Sequence, residues 1–245
     1  MNRRRFLKYA SLTAVGIGVS FVRGQDLTAL GAVGVRRRGA TQQVQQNDQW
    51  HLGSDTKSMT ATLIAMFVER GKLRFDSTVA DIFPDLLTSI HPDYQKVTLI
   101  ELLSHRAGIP GQAKGQTAYN ELQQELWDLE GPLPQQRRSV IQMVLSQSPT
   151  SEPGSLFNYS NLGYIIAGAF AEQVTGKPWE ELIQQMLFKP LGMETSGFGA
   201  PGTPGSLDQP WGHSSSCMPL DPGNRLSDNP PVLGPAGRVH CSMAE

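Results

Sequence analysis

Helical periodicity in this chain is confined to its middle part, residues 54–190. After Ser54, apolar residues recur at the spacing of one helix face, and the pattern stops at Gly71, a residue that favours a left-handed helix cap. These apolar residues are Met59, Leu63, Ile64, Phe67 and Val68. The chain also contains 25 glycines and 17 prolines, which predict many loops and exclude a coiled coil or a long helical repeat.

The rest of this middle part continues the helical pattern. Residues 73–93 carry scattered Asp and Pro and predict turns and one-turn helices. Thr98 and Glu101 form a capping box that opens a short helix, which Gly108 is expected to close. Further helices are predicted over residues 119–130, 135–148, 160–174 and 179–187. We therefore predict a mainly helical lobe over residues 54–190.

The flanking sequences have a different character. Residues 26–35 and 44–52 are short segments that contain β-branched residues and predict a pair of strands. Residues 195–238 are rich in Gly and Pro but keep apolar anchors, so we expect an ordered covering loop. Residues 242–245, Ser-Met-Ala-Glu, form another capping box, which predicts the start of a helix. Because this pattern opens a helix at the last residue, we expect a chain that is cut inside a domain.

The amino terminus has the pattern of an export signal. Arg3, Arg4, Arg5 and Lys8 precede an uncharged apolar stretch over residues 9–22, which is too short to span a bilayer. The paired arginines are typical of a twin-arginine signal, here predicted over residues 1–24, ahead of a domain over residues 25–245. An N-terminal membrane anchor is the alternative. The protein is thus expected to be periplasmic or extracellular, with the twin-arginine export machinery as a partner and only transient membrane contact through the signal.

Charge and cysteine usage exclude several classes of function. Five basic residues precede the first acidic residue, Asp26, and the remaining 16 basic and 22 acidic residues give that part of the chain a net charge of −6. Such a body is not expected to bind nucleic acid. Cys217 and Cys241 are too few for a disulfide framework, and we expect free thiols. The five histidines show no metal-ligand spacing, so neither a metal nor a cofactor is predicted, and His105 is expected to cap or pack at a helix end.

Ser54 and Lys57 are the first candidate catalytic residues. They lie three residues apart at the start of the first helix, and residues at this spacing share a helix face. A serine hydroxyl is a weak nucleophile unless a base takes its proton, and a nearby lysine amine can do so. The helix N-terminus adds a positive potential, and the Ser54 backbone N–H is suited to an oxyanion hole. This pattern favours acyl transfer, although a helix cap beside a solvated lysine is the alternative interpretation of the tetrapeptide alone.

Tyr159 and Asn161 extend this set about a hundred residues further along the chain. A tyrosine hydroxyl beside a lysine ammonium loses its proton more easily and can serve as a general base and then as an acid. Asn161 could hold the lysine or donate to a substrate carbonyl. We therefore predict Ser54, Lys57 and Tyr159 as catalytic residues and Asn161 as a substrate-binding residue.

Three segments, in this order along the chain, carry a family resemblance. They are residues 51–60 around Ser-Asp-Thr-Lys, residues 102–110 (Leu-Leu-Ser-His-Arg-Ala-Gly-Ile-Pro), and residues 157–164 around Tyr-Ser-Asn. Together they resemble the serine β-lactamase-related family, which groups class C β-lactamases, low-molecular-weight penicillin-binding proteins, D-aminopeptidases and esterases. The resemblance implies an α/β fold of the α+β type, β-lactamase/transpeptidase-like, with an all-helical lobe and an antiparallel sheet flanked by helices. It also implies an acyl-enzyme on Ser54, with Lys57 as its proton partner.

One part of the family pattern is not found. The family carries a third motif, Lys-x-Gly or His-x-Gly, on a strand that supplies the second oxyanion donor, and no segment of this sequence matches it well; the sheet is therefore expected to be incomplete. Two hypotheses follow. The chain is a serine hydrolase acting on an ester, a D-amino-acyl peptide or a β-lactam, or it is a non-catalytic or inactive fragment of the same fold that binds peptidoglycan-like ligands.

Overall fold

The structure is a computed structural model and describes residues 15–24, 26–111, 122 and 124–245. Backbone contacts divide the chain into two compact units. The strand unit consists of Met1–Gly53, Gly192–Asn229 and Arg238–Glu245, and the helical unit consists of Ser54–Leu191 and Pro230–Gly237.

The strands of the described residues all belong to the strand unit and pair antiparallel. They are β1 (Gly16–Arg23), β2 (Asp26–Gly34), β3 (Gln49–His51), β4 (Gly197–Phe198), β5 (Gly212–His213), β6 (Pro219–Leu220) and β7 (Val239–Ser242). β1 and β2 form a hairpin, β7 lies between β3 and β4 in a three-stranded sheet, and β5 pairs with β6.

The helical unit contains the α-helices whose bounds the described residues give. They are α1 (Thr56–Glu69), α2 (Val79–Ile82), α3 (Pro92–Gln95), α4 (Leu99–Leu103), α5 (Leu133–Leu145), α6 (Asn161–Thr175), α7 (Trp179–Ile183), α8 (Lys189–Leu191) and α9 (Gly234–Gly237). A π-helical turn, Gln184–Phe188, joins α7 to α8, and 3₁₀ turns lie at Gly53–Asp55, Pro84–Ser89, Arg225–Ser227 and Pro231–Leu233. Within the described residues, none of these helices has the length and apolar character needed to cross a membrane.

Helix α6 forms the core of the helical unit. Its residues from Asn161 to Glu172 are all buried, and α5 and α1 pack against it. A Cβ atom on Gly168 would overlap the ring of Pro235, so this position needs glycine for the segment before α9 to lie on the helix. The small residues of the predicted helix over residues 160–174 thus serve close packing, as expected.

Most predicted helices agree with the structure. α1 buries Leu63, Ile64 and Phe67, and residues 73–93 form turns and short helices. The capping box before α4 is present, because Thr98 Oγ1 accepts from Glu101 N and Thr98 N donates to Glu101 Oε2 at 2.8 Å. Two differences concern helix ends: α4 stops at Leu103, not at residue 108, and the α7–α8 segment runs beyond residue 187. Of the helix predicted over residues 119–130, residues 119–121 and 123 lie outside the described residues; residues 122, 124 and 125 are helical, whereas residues 126–130 form a turn and loop.

The strands predicted over residues 26–35 and 44–52 are present as β2 and β3, but these two strands do not pair with each other; the two segments meet at an isolated antiparallel bridge between Val35 and Gln43. β2 pairs with β1, in a register that sets Gly16 opposite Gly34, and β3 pairs with β7. The partner strand was missed because the apolar run over residues 9–22 was interpreted as part of an export signal. Its described residues from Gly16 onwards form β1, and residues up to 14 lie outside the described part, so the signal itself stays a prediction.

The carboxyl-terminal residues also differ from the expectation. Ser242 is the last residue of β7, and residues 243–244 form a turn, so no helix begins there. A capping box would need the Ser242 N–H for the Glu245 carboxylate, but this N–H donates to Thr195 Oγ1 at 2.8 Å. Glu245 instead accepts hydrogen bonds from Thr195 N and Thr195 Oγ1, at 2.7 and 2.8 Å.

The segment predicted as a covering loop, residues 195–238, is divided between the two units. Its first part holds β4, β5 and β6, and its end, Pro230–Gly237, belongs to the helical unit, which therefore extends beyond the predicted residues 54–190. Cys217 is exposed, Cys241 is buried, and both are free thiols. Burial raises the pKa of Cys241 to about 11, so this thiol is protonated at neutral pH.

Candidate active site

Ser54 and Lys57 lie together at the start of α1, as their spacing predicts. Ser54 belongs to the 3₁₀ turn that leads into the helix and is exposed, whereas Lys57 sits on the first helical turn and is only 6% exposed. Lys57 Nζ lies 3.2 Å from Ser54 Oγ. A solvent-facing hydroxyl is therefore in hydrogen-bond contact with a buried amine.

Lys57 is held by three acceptors. Besides Ser54 Oγ, its Nζ donates to Asn161 Oδ1 at 2.7 Å and to the Ala236 carbonyl at 2.6 Å. An ammonium group has three hydrogens and thus matches this set. When Lys57 loses a proton, the two carbonyl oxygens still accept its two remaining hydrogens, and the lone pair faces Ser54 Oγ.

Tyr159 approaches Ser54 from the segment before α6. Its hydroxyl donates to Ser54 Oγ at 2.6 Å. Lys57 Nζ lies 4.9 Å from the centroid of the Tyr159 ring and 5.7 Å from that of Tyr164, so aromatic rings flank the amine. Ser54 Oγ thus contacts both predicted proton carriers at once.

The environment of Lys57 favours the neutral amine more than water does. Burial lowers the pKa of Lys57 below the ordinary lysine value, and the Tyr159 hydroxyl opposes this effect. The fixed carbonyl oxygens of Asn161 and Ala236 hold the Nζ in one position. The arrangement can therefore accept a proton from a hydroxyl 3.2 Å away without moving the lysine side chain.

The sequence did not predict the role of Ala236, whose backbone carbonyl accepts a hydrogen bond from Lys57 Nζ. Thr60, fully buried on α1, donates from Oγ1 to the Pro235 carbonyl at 2.7 Å, and Arg137 Nε donates to the Val232 carbonyl at 3.3 Å. These bonds hold the segment Pro230–Gly237 against α1 and α5. A backbone carbonyl cannot be recognised from a residue type. The only available signal is the run of small residues around Ala236, which permits another segment to approach the backbone closely.

His105 lies beside Tyr159, next to the candidate site. Its Nδ1 accepts a hydrogen bond from Ser160 N at 3.1 Å, and its ring packs against Tyr159. The expectation that His105 caps or packs at a helix end agrees with these contacts. Within the described residues, no group of three or more His, Cys, Asp or Glu side chains is arranged to hold a metal ion.

A sequence model of the Beta-lactamase family matches residues 8–242, and the chain belongs to this family. Penicillin-binding protein 4 of Amycolatopsis lactamdurans is 31% identical over 176 residues, which cover 72% of this chain and 42% of that protein. The present chain thus spans less than half the length of this relative.

Solved structures show the fold. A β-lactamase/D-alanine carboxypeptidase from Pseudomonas syringae superposes with a TM-score of 0.73 at 20% identity and covers 98% of this chain and 60% of its own. A D-amino acid amidase from Ochrobactrum anthropi SV3, complexed with L-phenylalanine, gives a TM-score of 0.72 at 21% identity, covering 97% of this chain and 63% of its own. The predicted fold class, helices combined with antiparallel sheets in a β-lactamase/transpeptidase-like fold, is confirmed.

Proposed function

We propose that this chain is a serine acyl hydrolase in which Ser54 forms an acyl-enzyme. The observation that carries the proposal is the double contact of Ser54 Oγ, 2.6 Å from the Tyr159 hydroxyl and 3.2 Å from Lys57 Nζ. Acyl transfer by a serine needs such an arrangement, an exposed hydroxyl beside groups able to exchange its proton. The substrate class is an ester, a D-amino-acyl peptide or a β-lactam.

The reaction proceeds in two halves. Ser54 Oγ attacks the substrate carbonyl carbon while its proton passes to the Lys57–Tyr159 pair, and a new C–O bond forms. The bond to the leaving amine or alcohol then breaks, and this group takes the proton from the pair. Water adds to the acyl-enzyme, gives its proton to the same pair and releases the acid, and Ser54 Oγ regains a proton.

Two features of the site support this assignment of roles. The positive end of the α1 dipole lies beside Ser54 and favours negative charge developing on the substrate oxygen. Asn161 and the Ala236 carbonyl fix Lys57 Nζ, so the amine does not have to reorient between the two halves. We therefore propose that the main role of Asn161 is to hold Lys57 Nζ, and that it also contacts a substrate carbonyl.

Covalent labelling tests the proposal. Purified protein is treated with a fluorescent penicillin and, separately, with a fluorophosphonate, beside the variants Ser54→Ala and Ser58→Ala. Ser58 is a matched control, since its exposed hydroxyl lies on the same helix but donates to the Asp55 carbonyl. We expect the original protein and Ser58→Ala to be labelled and Ser54→Ala to remain unlabelled.

The same experiment separates the competing hypothesis. Equal labelling of Ser54→Ala and the original protein, or no labelling of either, contradicts an acyl-enzyme on Ser54. A non-catalytic binding protein would retain a non-covalent penicillin signal that denaturation removes. Parallel assays with a chromogenic cephalosporin, a p-nitrophenyl ester and a D-alanyl p-nitroanilide then assign the substrate class.

The predicted export signal stays a proposal as well. We propose that the basic residues before Asp26 direct the chain to the twin-arginine machinery and hence to the periplasm or the cell exterior. The pattern of paired arginines followed by an uncharged stretch supports it. Replacement of Arg4 and Arg5 by Lys is expected to abolish export of a fused reporter, and unchanged export would contradict this assignment.

A further inference from the structure

His105 has an unusual backbone conformation for a non-glycine residue. Its φ is +59°, in the left-handed region, directly after α4 has ended. Residues with side chains rarely adopt this region and do so at a cost, so the surrounding contacts must hold it there. Such positions often serve a site, and in this case the contacts of His105 lead directly to Tyr159.

Three contacts connect His105 to the segment that carries Tyr159. The His105 carbonyl accepts a hydrogen bond from Asn158 N at 2.8 Å, and His105 Nδ1 accepts one from Ser160 N at 3.1 Å. The imidazole and the Tyr159 ring lie with centroids 4.5 Å apart and an interplanar angle of 37°. The residues on both sides of Tyr159 and the Tyr159 ring itself are therefore fixed by one histidine.

The protonation state of His105 is part of this arrangement. Nδ1 can accept from Ser160 only when it carries no proton. Burial, and then the charge of Lys57, lower the pKa of His105 below its ordinary value. Among the described residues, the titratable groups that face its ring are Lys57, Tyr159 and Tyr164, and none of these three is a carboxylate that would stabilise the imidazolium.

We propose that His105 is a positioning residue that fixes Tyr159 so that its hydroxyl meets Ser54 Oγ. The kinetic consequence rests on the proposed acyl-enzyme function, whereas the structural consequence for Tyr159 does not. The hydrogen bonds and ring contact described above join His105 to the Tyr159 segment, so it acts through the tyrosine. A Tyr159 ring that is free to turn would lose its 2.6 Å contact with the nucleophile.

Two variants separate the contributions of the histidine. His105→Gly keeps the left-handed backbone and removes both the ring and the acceptor. His105→Asn tolerates the same backbone and offers Oδ1 to Ser160 N but lacks the ring, so it should give partial rescue. His91→Asn is the matched control, because His91 Nδ1 also accepts a backbone N–H, from Asp93 at 3.3 Å, at the start of another helix.

The first readout is the rate constant of Ser54 labelling by a fluorophosphonate. Because small displacements of a catalytic group cost up to about a hundredfold in rate, we expect a fall of about tenfold or more in His105→Gly and a smaller fall in His105→Asn. His91→Asn should match the original protein. In a Tyr159→Phe background, His105→Gly should cause no further fall, because the hydroxyl that it positions is already missing.

The second readout does not need activity. Nitration of Tyr159 by tetranitromethane, located by peptide mass spectrometry, should become several-fold faster in His105→Gly and stay unchanged in His91→Asn. Faster nitration without any Ser54 labelling would disprove the proposed function and leave the positioning role standing. Unchanged nitration, or an equal loss of labelling with and without the Tyr159 hydroxyl, would overturn the role of His105.

Discussion

At the scale of single residues, the proposed chemistry of the site depends on how readily Lys57 gives up its proton. The amine donates to two carbonyl oxygens and contacts Ser54 Oγ, and it is nearly excluded from water. Burial disfavours the charged form, so a larger fraction of Lys57 is neutral at a given pH than for an exposed lysine. Only this neutral form can accept the Ser54 proton.

This leads to a pH prediction. The rate of Ser54 labelling should rise with pH as Lys57 loses its proton, with a midpoint below the ordinary lysine pKa of 10.5, because burial lowers the pKa of Lys57. Lys57→Arg keeps the charge but cannot release a proton in this range, so the rising limb should vanish. Lys72→Arg is the control, because Lys72 is exposed and follows the same helix in the chain; this variant should keep the rise of the labelling rate with pH. A profile in Lys57→Arg identical to that of the original protein would exclude Lys57 as the proton acceptor.

The sequence predicted this residue pair well because its geometry is local. Ser54 and Lys57 share a helix face whatever the rest of the chain does, so their spacing alone brings them within reach. Tyr159 was predicted from its chemistry and from the neighbouring Asn161, but its contact with Ser54 joins residues 105 positions apart. Ala236 could not be predicted, because it acts through a carbonyl that every residue possesses.

At the scale of elements, a buried arginine joins three helices of the helical unit. Arg137 on α5 has no solvent exposure and forms ion pairs with Glu172 on α6 and Glu180 on α7, and it also donates to the Val232 carbonyl. Trp179 N donates to the same Glu172 oxygen at 2.8 Å. Burial raises the pKa of Glu172, which Arg137 opposes, so this carboxylate depends on its partner to stay charged.

Removal of this arginine should be costly. Arg137→Met leaves the buried Glu172 and the partly buried Glu180 without their cation. Breaking a buried ion pair in this way typically costs about 3–5 kcal/mol of unfolding free energy. Arg138→Met is the matched control, because its ion pair with Asp85 is partly exposed and such pairs contribute about 0–1 kcal/mol. Urea unfolding of both variants measures the difference.

The pH dependence of the Arg137→Met penalty follows from Glu172. Without the arginine, the pKa of Glu172 in the folded protein rises further above its value in the unfolded chain. The contribution of Glu172 to stability is then fully present below the unfolded-state pKa and is lost as the pH rises through the folded-state pKa. The penalty should therefore shrink in mildly acidic solution. An equal cost for Arg137→Met and Arg138→Met, or a penalty that grows on acidification, would contradict the assigned role of the cluster.

At the scale of the whole molecule, the amino-terminal hairpin of β1 and β2 determines whether the residues before Asp26 are part of the folded strand unit. β1 lies against Trp50 of β3 and against Val44 in the segment before β3, since a Cβ atom on Gly18 would meet Trp50 Nε1 at 2.7 Å and one on Gly16 would meet Val44 Cγ1 at 2.6 Å. The family match also begins at residue 8. Cleavage after Gly24, as the predicted export signal would require, would remove β1 and uncover Trp50.

Two truncations test the contribution of β1. Deletion of residues 1–24 should shift the fluorescence of Trp50 to longer wavelength and lower the unfolding midpoint, because the strand that covers the indole is lost. Deletion of residues 1–14 retains β1 and serves as the comparison for both measurements. Subtraction of the Trp50→Phe spectrum isolates this tryptophan from the others. If both truncated proteins match the full chain in Trp50 emission and stability, β1 makes no contribution to the fold.

The sequence by itself determined the local features of this protein: the α1 and α6 helices through their apolar periodicity, the Thr98 capping box, and the shared face of Ser54 and Lys57. These depend on residues a few positions apart. Only the tertiary structure decided which strand pairs with β2, which carbonyl holds Lys57, and how His105 meets Tyr159. Those contacts join distant segments, and their formation depends on the packing of the chain rather than on any local pattern.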